Sequence, residues 1–308
     1  MQKQFFTPFL KRGIYNSANR KAESAQQFGM WTLAGPKNSP TYQNAPGFPF
    51  GIGRINQIAF SAIHSNVIYA LASSGLFISV DTGNTWQSTG TDFIGMHEFR
   101  CLAVDPTNDS IIYLGSGDYF SYAIFDSGVL KSTDFGNTFT PLLNGMDSTQ
   151  ITTIRIDPQN SGHVVAGGKK GIWWSNNAGQ SWQHTYQMTA TNNLIYDIKF
   201  KPGSSDTLYA TTKDTFLIST NGGSTWSAGF NNFQFVTSFP FNEELLLGVC
   251  DAAPDYIYIA TLQDFGNIYK STDGGITFSA VKKYTTPGLI GYDTLLNSFG
   301  QGDYDFTF

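Results

Sequence analysis

The residues of this 308-residue chain whose types and spacing could do chemistry fall into two groups. One comprises Arg54 in "PGFPFGIGR", Glu98 and Arg100 behind His97 in "TDFIGMHEFR", and Asp118, Tyr119, Phe120 and Tyr122 in "GDYFSYAIFDSG". Carboxylates, guanidinium groups and aromatic rings in this mixture suit a sugar, which stacks on a ring while charged groups hold its hydroxyls. The other is Ser79, Asp81 and Trp86 in "SVDTGNTW", where a serine and a carboxylate lie close enough for nucleophilic chemistry. Which group acts depends on the elements that carry them.

The second group repeats. "SVDTGNTW" begins at Ser79, "STDFGNTF" at Ser132, "SNNAGQSW" at Ser175, "STNGGSTW" at Ser219 and "STDGGITF" at Ser271, so consecutive starts lie 53, 43, 44 and 52 residues apart. That period fits a four-stranded propeller blade with variable loops. Between copies comes an inner apolar run ("INQIAF", "CLAVDP", "ITTIRIDP", "IYDIKFKP", "LLLGVCD"), then a polar turn and a second β-rich run. A third run leads into the box. Helical periodicity is absent, and the expectation is an all-β propeller of four-stranded blades with five boxes visible. Residues 1–30 read as an N-terminal extension and residues 31–308 as propeller. The chain stops where the inner strand of a sixth blade is due, so a larger ring of about six to eight blades is expected. The rival is closure by pairing of residues 1–35 with residues 303–308.

Set in the repeat, the box reads as a turn between third and fourth strands. Gly83, Gly136, Gly179, Gly223 and Gly275 fill one slot in every copy, as a hairpin needing positive φ demands. Asp81, Asn177 and their counterparts Asp134, Asn221 and Asp273 can, with the leading serines, cap turn N–H groups. Trp86, Phe139, Trp182, Trp226 and Phe278 supply a burying aromatic at the head of the fourth strand. Five catalytic centres in one chain make no sense, so the box is expected to be structural.

Composition narrows the partners. Charged residues make up 13%, the formal net charge is −5 and no Lys/Arg cluster occurs, which argues against nucleic acid and anionic membrane. No apolar run is long enough to span a bilayer as a helix. With 2 Cys a disulfide framework and a Cys-rich metal site are excluded, and Cys101 and Cys250 are expected to be buried as small hydrophobes. His64, His97, His163 and His184 fall in different repeats without ligand spacing and read as surface or turn histidines. No metal, cofactor or catalytic residue is assigned.

The boxes closely resemble the Asp-box, or BNR repeat, Ser-x-Asp-x-Gly-x-Thr-Trp, found in sialidases, xyloglucan-degrading glycoside hydrolases, Vps10 receptors and photosystem assembly factors. The resemblance implies a propeller with the box on the rim away from the ligand face; it does not imply a function. "MWTLAGP", "GRINQIAF", "GSGD", "GVLKSTDFGNTF" and "FGQGDYDFTF" are further similar to exported repeat proteins of Bacteroidetes that carry a secretion sorting domain. That implies a secreted or surface-attached protein.

A sialidase would need three arginines on its substrate carboxylate. Of the five here, Arg12 and Arg20 lie outside the repeats and Arg155 sits within an inner strand. Xyloglucan hydrolases place an Asp shortly after a Tyr-Ala pair in the first blade, whereas "IYALASSGLFIS" has Ala72, Ser73 and Ser74 there. The leading expectation is therefore a noncatalytic propeller that binds glycan or protein, with a glycoside hydrolase as the alternative. The ligand is expected on the face opposite the boxes, at Arg54, Glu98, Arg100, Asp118, Tyr119, Phe120 and Tyr122. The competing reading is that these aromatics pack against one another.

Overall fold

In a computed structural model of the chain, the structure describes residues 55–72, 75–94, 98–117, 127–188, 194–229, 245–261 and 267–282. They form five four-stranded antiparallel sheets, each in simple sequence order. Blade one is β1 (Ile55–Phe60), β2 (Ile68–Ala72), β3 (Gly75–Ser79) and β4 (Gln87–Ser88). Blade two is β5 (Phe99–Val104), β6 (Ile112–Ser116), β7 (Val129–Ser132) and β8 (Thr140–Pro141). Blade three is β9 (Ile151–Asp157), β10 (Asn160–Gly168), β11 (Gly171–Ser175) and β12 (Gln183–Gln187). Blade four is β13 (Asp197–Phe200), β14 (Leu208–Thr211), β15 (Phe216–Ser219) and β16 (Ser227–Ala228). Blade five is β17 (Leu245–Val249), β18 (Ile257–Thr261), β19 (Ile268–Ser271) and β20 (Ser279–Lys282). Among the described residues no α-helix occurs, and the expected all-β propeller is what forms.

The second and third strands of the blades are largely buried on both faces whereas the short fourth strands β4, β8 and β16 are exposed, so the sheets stack on one another and the core lies between blades. Four buried clusters mark the four junctions. At the second, Ile154, Ile156, Val164, Ala166, Trp173 and Trp182 of blade three close on Cys101, Tyr113 and Val129 of blade two. Leu102, Ile112 and Leu114 of blade two meet Tyr69, Leu71 and Leu76 of blade one in the same way. The later junctions repeat the arrangement with Ile198 and Leu217 on Val165, and with Leu247 and Ile259 on Tyr209. The box aromatics Phe139, Trp182, Trp226 and Phe278 sit in these seams, each facing the preceding blade. Inner strands β1, β5, β9, β13 and β17 neighbour one another in that order, and no comparable contact returns from β17 to β1, so the five described blades form an unclosed ring.

All described residues belong to one unit, Ser39–Phe308. The proposed extension at residues 1–30, and the strands expected from residues 303–308, lie outside the described residues.

The box is a turn closed by its own side chains. In box two the Ser132 hydroxyl accepts the Gly136 N–H at 2.8 Å and donates to Asp134 Oδ1 at 2.7 Å. Asp134 in turn accepts the Thr138 N–H at 2.9 Å and the Thr138 hydroxyl at 2.6 Å. Where Asn177 replaces the aspartate, its oxygen still takes the Ser181 N–H at 2.9 Å, and its amide now donates to the Ser181 hydroxyl at 2.8 Å. The last bond reverses direction, which is why Asn is tolerated. Gly83, Gly136, Gly179, Gly223 and Gly275 all have φ between 81 and 91°. The residue before each is left-handed too: Thr82, Phe135 and Ala178 at 55 to 60°, and Gly222 and Gly274 near 70°. Its N–H donates to the first turn of the same blade, at Asn66, Ser110, Gly162, Asp206 and Asp255 carbonyls, which places boxes and first turns on one face.

These bonds carry a pH signature. The Thr138 contacts hold Asp134 down to about 2, the Thr277 contacts do the same for Asp273, and Asp81 is lowered by Thr85. A carboxylate depressed on folding stabilises the fold above its unfolded value of about 3.9 and loses that contribution as pH falls toward about 2. Asn177 and Asn221 do not titrate. A triple Asp81→Asn, Asp134→Asn, Asp273→Asn variant should therefore show a shallower decline of Tm between about pH 4 and pH 2 than the parent. Some slope will remain from Asp109 and Asp157, which are also lowered. An unchanged slope in thermal melts would contradict this reading of the boxes.

Candidate functional site

The face opposite the boxes is set by the chain direction: each inner strand begins there and each second strand ends there. Around blades two to four it is tied by backbone bonds from Gly117 to Glu98, Gly128 to Thr149, Lys169 to Gln150 and Ile195 to Gly168. Glycine is required at this rim. A Cβ on Gly168 would stand 2.0 Å from the Gln150 carbonyl oxygen.

Of the residues singled out from sequence, two are described. Glu98 precedes β5, and its Oε2 is buried with no hydrogen-bond partner among the described residues. Arg100 is the second residue of β5 and is partly exposed. Arg54, Asp118, Tyr119, Phe120 and Tyr122 lie outside the described residues, as does His97. The hydroxyls of Thr149 and Thr153, at the mouth and within the inner strand of blade three, are likewise buried and unpartnered among the described residues. An ionised carboxylate is acceptor-only, and a hydroxyl both gives and takes. The Glu98 carboxylate oxygen can accept an O–H or N–H bond, and leaving it unmet is costly.

Sequence reasoning missed a charged cluster on the inner strands. Asp197, the first residue of β13, accepts from Arg155 Nη2 of β9 at 2.7 Å and faces Lys199 Nζ at 3.4 Å. It also accepts the Ile198 N–H at 2.9 Å and the Leu247 N–H of blade five at 3.3 Å. Burial, then the neighbouring Arg155, holds the Lys199 ammonium below its ordinary value against the pull of Asp197. The signal was "DIKF", two charges spaced by two on an inner strand, which puts both on one side of the sheet. Asp197 is fully engaged in linking three blades and is not a free acid or base.

Other titratable groups are structural. Cys101 is buried and its thiol is pushed up to about 12 by that burial. Cys250, expected to be buried, is exposed, because β17 ends at Val249 and the cysteine falls in the turn. His163, read as a surface or turn residue, is buried in β10 between Asp157 at 3.0 Å and the Gly222 carbonyl at 2.6 Å. His184 stacks on Trp173 at 4.6 Å. No group of three or more His, Cys, Asp or Glu side chains able to hold a metal occurs among the described residues, and none of their helices is long and apolar enough to cross a membrane.

A family profile described as "Sortilin, neurotensin receptor 3" matches residues 127–264. A xyloglucanase from Paenibacillus sp is 25% identical over 325 residues, covering 97% of this chain and 29% of the relative. The chain thus spans less than a third of that relative's length. Among solved structures, an ancestral GH74 enzyme superposes with a TM-score of 0.59 at 18% identity, covering 74% of this chain and 31% of that one. A YCF48 structure bound to D1 peptide gives a TM-score of 0.50 at 15% identity, covering 74% of this chain and 67% of that one. Sheet order and boxes make this chain a β-propeller, and the matches show its similarity to Vps10-type and xyloglucanase propellers.

Proposed function

We propose that the chain is a noncatalytic recognition propeller of an exported protein, and that it binds a neutral plant-type polysaccharide such as xyloglucan on the face opposite the boxes. The observation that carries the reading is the unmet oxygen of Glu98 at the mouth of an inner strand, in a chain that aligns over nearly its whole length with a xyloglucanase. Binding is favoured over hydrolysis because glycosidases need two carboxylates flanking the scissile bond. The stretch after Tyr69 and Ala70 offers Leu71 and Ala72, and Asp197 is committed to Arg155 and Lys199. Export follows from the ligand, a cell-wall polymer.

The alternative, a glycoside hydrolase, is supported by the names of the relatives. Affinity electrophoresis in gels containing xyloglucan, run beside a reducing-end assay on the same polymer, separates the two. Retardation without release of reducing ends is expected; sustained release would establish the hydrolase, and neither effect would remove the polysaccharide reading.

A further inference from the structure

The inner strands carry a second polar site, apart from Glu98. In the strand registers Ala59, Ala103, Arg155, Lys199 and Gly248 hold one position, paired respectively with Tyr69, Tyr113, Val165, Tyr209 and Tyr258 of the second strands. All five are partly exposed, whereas the residues just before them in blades two to five, Leu102, Ile154, Ile198 and Leu247, are buried in the seams between blades. The position therefore lies where the inner strands meet solvent. Blades one, two and five fill it with Ala59, Ala103 and Gly248, which take up little room, and blades three and four fill it with cations on adjacent strands.

Neighbouring cations repel unless negative charge separates them. The carboxylate between these two, Asp197, takes Arg155 Nη2 at 2.7 Å and faces Lys199 Nζ at 3.4 Å, and it also accepts the Ile198 and Leu247 N–H groups. The cluster keeps a positive charge in excess, in a chain whose formal net charge is −5. Arg155 gives its other terminal nitrogen, Nη1, to the Ile154 carbonyl at 2.9 Å. Its Nε–H and the second hydrogen of each terminal nitrogen have no acceptor among the described residues, and the Lys199 ammonium has none there besides Asp197. Burial, and then Arg155, holds Lys199 below its ordinary value, the response of an ammonium short of negative charge. The end-on fork of Arg155, which would grip a planar carboxylate, is divided between Ile154 and Asp197. The remaining donors come singly from two strands, which suits the spread oxygens of a tetrahedral anion.

We propose that Arg155 and Lys199 bind a tetrahedral oxyanion, a sulfate or phosphate group, on the solvent side of inner strands β9 and β13, with Asp197 holding both cations in place. A free anion and its ester offer the same oxygens, and the groups around the oxyanion decide between them. The site uses no atom of Glu98 and does not depend on the polysaccharide reading.

Calorimetric titration of inorganic sulfate, inorganic phosphate and glucose 6-phosphate into the whole chain, at an ionic strength held constant with sodium chloride, tests this. The parent should bind at least one of the three saturably. Lys199→Met and, separately, Arg155→Gln should weaken that binding by about tenfold with an unchanged circular dichroism spectrum, whereas Lys199→Arg, which keeps the charge, should retain it. Tighter binding of glucose 6-phosphate than of the free anions assigns the site to an ester, and the reverse order assigns it to the free ion. No saturable binding to the parent overturns the proposal, as does equal affinity in the parent and the two charge-removing variants, or acetate that binds as tightly as sulfate and phosphate. If Lys199→Met does not fold, Arg155→Gln and the acetate comparison on the parent still decide.

Discussion

Replacing Asp197 with alanine should lower unfolding stability by about 3 kcal/mol, because it strands buried charge and an orphaned backbone donor together. The carboxylate is 7% exposed and is the shared partner of Arg155, Lys199 and the Leu247 N–H, so its loss acts on blades three, four and five at once. Arg155 and Lys199 keep about a quarter of their side-chain surface in water, which softens the penalty below that of a fully buried pair. Urea unfolding at constant m measures it. Adding Arg155→Met to Asp197→Ala should recover part of the loss, since one unpaired charge is removed. A cost below about 0.5 kcal/mol for the single change would place Asp197 in solvent like an ordinary surface residue.

Gly145→Ala should cost about as much by a different route. Gly145 has φ of 80°, and a Cβ there would stand 2.1 Å from the Trp182 carbonyl oxygen. The left-handed conformation alone penalises an L-residue by about 1–2 kcal/mol, and displacing packed backbone adds about 1–3 kcal/mol. The clash falls where the Trp182 N–H meets the Asn144 carbonyl and Asn144 meets the Gln180 carbonyl, so box three would be pushed off blade two. Thermal melts should show the fall in Tm; a variant as stable as the parent would mean that this turn is not held against the box.

What could be read from the sequence was what depends on near neighbours. The box bonds span four residues, so Ser, Asp and Gly recur at fixed offsets, and the strand runs between them alternate with turn residues. That sufficed for the propeller. The left-handed residue ahead of each glycine was not legible, because Thr82, Phe135 and Ala178 share no side-chain feature; what they share is the bond from their N–H to the first turn. Cross-blade contacts were hidden for the same reason. Arg155 and Asp197 are 42 residues apart, and His163 and Gly222 are 59 apart, and only the stacking of blades joins them. Cys250 was misjudged by one position, since the apolar run continues in sequence past the residue where pairing stops. Of the candidate ligand residues, Glu98 was noticed as a charge among aromatics, but its unmet oxygen is a property of packing and has no sequence trace.

The central claim is that the mouth of the inner strands binds polysaccharide through Glu98. Calorimetric titration of xyloglucan oligosaccharide into the parent chain and into Glu98→Gln tests it directly. The amide keeps the shape but replaces one acceptor oxygen by a donor, and the change lies outside the strand ladder. The account predicts saturable binding to the parent and at least a tenfold weaker Kd for the variant, equivalent to about 1.4 kcal/mol, at equal Tm. Equal affinity in both proteins, or no heat of binding to the parent, would contradict it.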